Sequence, residues 1–182
     1  KALKKGLQDV WGDRVLIQRC WIHKLRNLKN YAPEKYHGQI GWRMKKLMNL
    51  VSIADAKREL ASFIDWLDGI AYEAGQSLRE VGDDLLTVIE LKVPRELRKN
   101  LSCTNAMESL FGVCRSRTRK VKNWKYHPRL KKKIPRDKIL RWVASAIIEH
   151  RPKLRKLKGY KQVHLLIAAL TEKKIEFIRK EA

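Results

Sequence analysis

Along most of the chain, apolar residues recur every three or four positions, the period of helices that bury one face. Leu3, Leu7 and Val10 share a face in residues 2–10, and Trp21, Leu25 and Leu28 do so in residues 21–30. Pro33 permits a new start, and the spacing predicts a helix over residues 34–50. The strongest amphipathic pattern covers residues 54–74. Leu60, Phe63, Ile64 and Leu67 lie on its apolar side, and Gly69 and Gly75 are candidate breaks. Residues 83–91 predict a short helix, with Asp83 and Asp84 in the first turn, where the helix dipole favours carboxylates. Pro94 ends it or opens the next turn. Further helices are expected over residues 105–119, over 139–150 between Pro135 and Pro152, and over 162–181 after Gly159. Gly12-Asp13 marks a turn, and the apolar run Val15 to Cys20 behind it predicts one strand. A single strand cannot form a sheet. Either the chain is all-helical, or partner strands precede Lys1, where the sequence opens inside a helical pattern as if clipped from a longer one.

The chain has 182 residues, enough for one domain or a little more with a real core. At 44% apolar it is no disordered tail. No stretch of about 18 apolar residues could span a membrane, and no secretory leader pattern is present. Three cysteines are too few for a disulfide framework and fit a reducing compartment. The net charge of +23 points to a polyanionic partner. Its distribution sharpens that expectation: residues 1–54 carry +9, residues 55–96 carry −5, and residues 115–161 carry +17. An acidic helical block thus separates two basic ones.

Three groups of residues could carry chemistry. Cys20 and His23 stand three apart, as metal ligands can, but two ligands do not make a zinc site. The plain reading is a strand-end cysteine in the core beside a surface histidine; a structural corner next to an active site is a third reading that the pair alone does not support. Thr104 or Asn105 suits a helix N-cap, and Asn105 to Glu108 has the spacing of a capping box. Met107, Leu110, Phe111 and Cys114 fall on one face expected to pack inward, which would place Glu108 at a core edge. An ionised carboxylate there would serve as a divalent-metal ligand if others came near. Then follow Arg115, Arg117, Arg119, Lys120, Lys122 and Lys125, interleaved with Trp124 and Tyr126, in an expected loop over residues 120–133. Basic groups neutralise phosphates and aromatic rings stack on bases. Because the cluster lies in a loop and not on one helix face, nucleic acid is favoured over a membrane surface.

The run Gln18-Arg19-Cys20-Trp21-Ile22-His23-Lys24-Leu25-Arg26-Asn27, the run Thr104-Asn105-Ala106-Met107-Glu108-Ser109-Leu110-Phe111, and Arg115-Ser116-Arg117-Thr118-Arg119 together resemble the Mutator-type transposases of bacterial insertion sequences. The resemblance implies a DDE transposase with a ribonuclease H-like α/β core interrupted by an all-helical insertion, so that the chain is mainly α. Residues 1–27 would end the first half of that core, 28–100 would be the insertion, 101–150 would hold the core helix and DNA-binding segment, and 151–182 the C-terminal helix. Glu108 would be the third catalytic acid and a ligand to Mg²⁺ or Mn²⁺ in a two-metal site. Arg115, Arg117, Arg119, Lys120, Lys122, Trp124 and Lys125 would bind DNA, and Cys20 and His23 would form a motif near the site. The family's two aspartates would lie upstream of Lys1 and are not transferred to Asp9 or Asp13. This chain alone would then be inactive. Family members commonly carry proline or isoleucine between the asparagine and the glutamate, where this chain has Ala106 and Met107. The implied partners are element terminal inverted repeats, target DNA and further copies of the protein on DNA, with no membrane, in the bacterial cytoplasm at the nucleoid. The alternative is a non-catalytic, basic, helical nucleic-acid-binding module.

Overall fold

A computed structural model describes residues 2–12, 15–121 and 136–181. They form ten α-helices: α1 (Ala2–Trp11), α2 (Trp21–Tyr31), α3 (His37–Asn49), α4 (Ile53–Asp68), α5 (Tyr72–Val81), α6 (Thr87–Glu90), α7 (Arg95–Leu101), α8 (Asn105–Thr118), α9 (Arg136–His150) and α10 (Val163–Glu181). The chain divides into two compact units, Lys1–Cys103 with Lys158–Ala182, and Thr104–Leu157. No helix among the described residues is long and apolar enough to cross a membrane.

The larger unit is built on α4. Ala56, Leu60, Phe63 and Leu67 recur at helical spacing and are at most 5% exposed. They share one core with Leu28 of α2, Ile40, Met44 and Leu47 of α3, and Ala74 and Leu78 of α5. Ser52 starts α4 by accepting the Asp55 N–H at 3.3 Å, which satisfies one orphan donor of the first turn. On the rim of this core the Arg43 guanidinium lies 4.9 Å over the Trp66 ring, a cation–π contact. Val163, Leu166 and Ala169 of α10 pack on the same core, and Lys173 reaches Glu90 at 3.0 Å.

Two expected helices divide. The pattern over residues 54–74 breaks after Asp68, because Gly69 caps α4 and Ala71 leaves helical backbone space at φ −161° and ψ 82°. Gly75 lies inside α5, where a Cβ would collide with the Asp68 carboxylate, so glycine permits the close approach of α5 to the end of α4. Residues 83–91 split into a 3₁₀ turn, Gly82–Leu85, and α6. The end of α6 is closed by Lys92 at φ 50°, with Lys92 N–H donating to Ile89 O at 2.9 Å and Val93 N–H to Val88 O at 3.1 Å. This is the two-bond left-handed cap usually built on glycine. Even so divided, residues 34–91 hold helices and short turns, and no strand.

The expected strand over residues 15–20 is not formed, and no strand occurs among the described residues. Among the described residues the run finds no strand to pair with. Two of its backbone groups are met by the turn before α6 and the start of α6: Arg19 N–H donates to Asp84 O at 2.8 Å, and Ile17 O accepts from Thr87 Oγ1 at 2.7 Å. The expected loop over 120–133 lies outside the described residues from Lys122 onward, as does Pro135.

Gly159 supports one prediction. It has φ 77°, and a Cβ there would lie 2.8 Å from Leu97 N. Gly159→Ala combines left-handed strain with a backbone clash, and should cost about 1–3 kcal/mol. Urea and thermal melts should show the loss; an unchanged midpoint would mean that residues 158–162 do not seat against α7 in solution.

Candidate functional site

The first motif is a set of hydrogen bonds that docks the start of α2. Gln18 Nε2 donates to Leu85 O at 3.0 Å and to Arg19 O at 2.7 Å, while its Oε1 accepts the Val88 N–H at 2.9 Å. The buried Trp21 donates its indole N–H to Leu85 O at 2.7 Å, and its backbone N–H goes to Ser102 O at 2.9 Å. Lys24, 8% exposed, points its ammonium into α5, at 2.7 Å from Ser77 O and 3.0 Å from Ser77 Oγ. Burial pushes the Lys24 pKa below the usual lysine range, and the nearby Arg19 charge adds to this. Cys20 is the N-cap residue of α2, and His23 is exposed on its first turn. No group of three or more His, Cys, Asp or Glu is placed to hold a metal ion among the described residues. The pair therefore gathers no further zinc ligands there. Sequence reasoning held Gln18 and Lys24 only as members of the motif and gave neither a role of its own. The available signal was a lysine at i+3 from Trp21 on the stripe that continues to Leu28.

Glu108 sits differently from the capping-box expectation. Thr104 is the N-cap residue of α8 and makes no side-chain cap bond. Glu108 is then the fourth helical residue, whereas a capping box needs its carboxylate on the third, here Met107. Instead Thr104 Oγ1 donates to Glu108 Oε1, and Glu108 N–H donates to Thr104 O at 2.8 Å. The inward-packing face is also corrected. Met107 is 50% and Phe111 47% exposed, Cys114 alone of the four is buried, and Glu108 is exposed. Within its unit α8 packs on α9, and one neighbour can cover only one stripe of a helix.

The exposed face carries a pattern. Glu108, Gly112, Arg115 and Arg119 follow one another at four-, three- and four-residue steps, so they line one side of α8 and its C-cap, and all are exposed. At 1.5 Å rise per residue, Arg115 stands about 10 Å and Arg119 about 16 Å along the axis from Glu108. A Cβ on Gly112 would meet nothing, so the surface between acid and arginines is open. Arg117 points elsewhere and pairs with Glu149 of α9. Lys120 is exposed; Lys122, Trp124 and Lys125 lie outside the described residues. Glu108 is thus an exposed carboxylate at the head of that face. By themselves the described residues do not compose a metal site, since no second and third acid gather there.

These features define a helical protein with two exposed arginines in line behind an acid on one helix face. The chain belongs to the Mutator family of transposases, whose pattern matches residues 1–132 and so takes in both motifs. It is 27% identical over 106 residues to the transposase for insertion sequence element IST2 of Acidithiobacillus ferrooxidans, a match covering 58% of this chain and 35% of that protein. It is 32% identical over 107 residues to the transposase for element IS6120 of Mycolicibacterium smegmatis, covering 58% and 32%. With the transposase for ISRM5 of Rhizobium meliloti it shares 31% over 103 residues, covering 56% and 25%. The matched stretch thus spans between a quarter and about a third of these relatives. No solved structure matches the chain.

Two outcomes follow from the docking of α2. Gln18→Leu removes the side-chain acceptor of Val88 N–H and one of the two donors to Leu85 O, which keeps the Trp21 indole, and should lower stability by about 1–3 kcal/mol in urea melts; no change would show that these bonds do not hold the segment. For Lys24 the sign is set by its lowered pKa. Between the folded value and the ordinary value of about 10.4, the unfolded chain binds more protons, so stability rises with pH. Lys24→Met should reduce that rise, measured as unfolding free energy against pH in alkaline buffers. A rise identical in the two proteins would place the Lys24 ammonium in water.

Proposed function

We propose that this chain is the part of a DNA transposase that contributes one catalytic carboxylate, Glu108, and a basic face that holds DNA during strand cleavage and transfer at insertion-sequence ends. The observation that carries the reading is the open face of α8, with Glu108 at its head and Arg115 and Arg119 in line behind it. Thr104 orients the carboxylate by its hydrogen bond, Gly112 leaves room for a close-lying strand, and the arginines meet phosphates two and three turns away. Glu108 would give one oxygen ligand to a Mg²⁺ or Mn²⁺ pair whose aspartates come from outside this chain. In this reading the segments around residues 1–27 and 101–150 belong to a ribonuclease H-like core, residues 28–100 are its helical insertion, and the protein acts as an oligomer on terminal repeats and target DNA. The competing reading, a basic helical module that binds nucleic acid without catalysis, draws on the local bond that already satisfies one Glu108 oxygen.

Glu108→Gln in the full-length transposase separates the two. Glutamine still accepts from Thr104 Oγ1, so the melt should move by no more than about 1 kcal/mol, the scale of a missing cap. Cleavage of element-end DNA with Mg²⁺ or Mn²⁺ should fall by more than about 100-fold, beyond the 10–100-fold typical of outer-shell partners of a metal. Near-parental cleavage would leave the non-catalytic module as the better account.

Charge removal tests the DNA face. Arg115→Gln with Arg119→Gln and Lys120→Gln should flatten the salt dependence of duplex binding by about 0.9 for each phosphate that is no longer neutralised. Arg117→Gln should change it less, because Glu149 already offsets that charge. A slope that responds to Arg117 alone would reverse the assignment of the face.

A further inference from the structure

Beside the core of the larger unit, two cavities of about 540 and 230 Å³ share Met48, Asn49, Arg95 and Arg98 and so form one trough. Lys45, Lys92 and Lys99 complete its basic lining, and no carboxylate lines either part. Lys45, Lys92, Arg95 and Lys99 are exposed.

Elsewhere on this unit, several basic side chains find acids. Lys46 and Arg43 reach Glu59, Lys57 reaches Asp83, Arg79 reaches Asp68 and Lys173 reaches Glu90. Around the trough the four exposed cations make no ion pair among the described residues, and Arg95 donates only to the neutral Asn49 Oδ1 at 3.3 Å. Arg98, 6% exposed, forms the trough wall. Its guanidinium donates to Val93 O at 3.3 Å and Leu50 O at 2.6 Å. Neutral carbonyls satisfy its hydrogen bonds but leave its charge uncancelled, and a low-dielectric wall concentrates the field at the opening.

Lys92 adds an independent sign. It holds φ 50°, a position where glycine or asparagine would cost less, yet a long cationic side chain stands there. Strain retained at one residue of a charged trough points to use of that side chain. On the outer surface of α3, Trp42 is 61% exposed on the same helical face as Lys45 and Asn49, a stacking surface beside the cations.

From this cavity, its uncancelled charge and the strained lysine, we propose that the trough between the end of α3 and α7 is a second DNA-backbone site, in which Lys45, Lys92, Arg95 and Lys99 take successive phosphates. The proposal rests on the transposase reading for its choice of DNA, and it is separate from the α8 face. The joined volume exceeds what one phosphate fills and suits a strand passing through.

The test uses the whole 182-residue chain and a short labelled duplex over a series of salt concentrations. The triple variant Lys45→Gln, Lys92→Asn, Lys99→Gln should lower the log–log slope by about 0.9 for each phosphate that is no longer neutralised. A charge-matched control, Lys5→Gln, Lys29→Gln, Lys161→Gln, should keep nearly the parental slope. Lys92→Asn alone should melt at or above the parental temperature, since asparagine tolerates this backbone conformation, so weaker binding by it cannot be laid to unfolding. If the parent binds DNA and the triple variant keeps its slope, or the control flattens equally, the trough is not a DNA site although the transposase reading stands. If the parent binds no duplex at any salt concentration, the DNA reading falls and this site with it.

Discussion

The carboxamide of Gln18 makes the hydrogen bonds on which the larger unit's order depends. One side chain answers an acceptor, Leu85 O, and a donor, Val88 N–H, and the neighbouring Trp21 indole meets the same Leu85 carbonyl. Leu85 O ends a short 3₁₀ turn and Val88 N–H lies in the first turn of α6, where groups at helix ends lack ladder partners. Unmet near the core, each would carry a desolvation cost of about 1–3 kcal/mol. Once that turn is held, α6 can follow it, Lys92 can close α6 in left-handed conformation, and Val93 can enter the core at 1% exposure. The trough opens immediately after that cap.

Charge is arranged on the same frame. The acidic block expected from the sequence lies largely in α4 and the turns around α5 and α6, where its carboxylates hold neighbouring cations. Such exposed pairs contribute little to stability. Their consequence is electrostatic: they offset cations around α4, α5 and α6, and no such pair stands at the trough among the described residues. In the smaller unit Glu149 does the same for Arg117, so the cations in line with Glu108 are Arg115 and Arg119. The structure selects among basic residues that composition alone counts alike.

The helices were legible because burial of one face imposes a period, and α2, α3, α8 and α10 lie close to where that period predicts. Boundaries set by backbone conformation were less so. Nothing in the apolar run 54–74 distinguishes Gly69, where the chain turns, from Gly75, which stays helical. The run 15–20 has strand composition, but composition cannot supply a partner strand, and a carbonyl of the turn before α6 and the Thr87 hydroxyl of α6 bond its backbone instead. On α8 the period marked Met107, Leu110, Phe111 and Cys114 correctly as one stripe. Which part of a stripe is covered depends on neighbours, and only the Cys114 end is. Glu108 was visible as a carboxylate at a helix start, whereas its place as fourth helical residue depended on which residue caps the helix. The buried Arg98 and Lys24 left only a faint trace, since a cation on an apolar face looks like a surface residue until its carbonyl acceptors are known.

Native-state hydrogen exchange of individual amides tests most directly the claim that the 18–24 motif clamps this unit. Val88 N–H, Arg19 N–H and Trp21 N–H each donate to a group brought from far along the chain. The account predicts that these three exchange as slowly as the buried amides of α4 and α5, opening only with the unit as a whole. Exchange at the rate of an open loop, with α4 and α5 still protected, would contradict it: the motif would then rest on a core that forms without it.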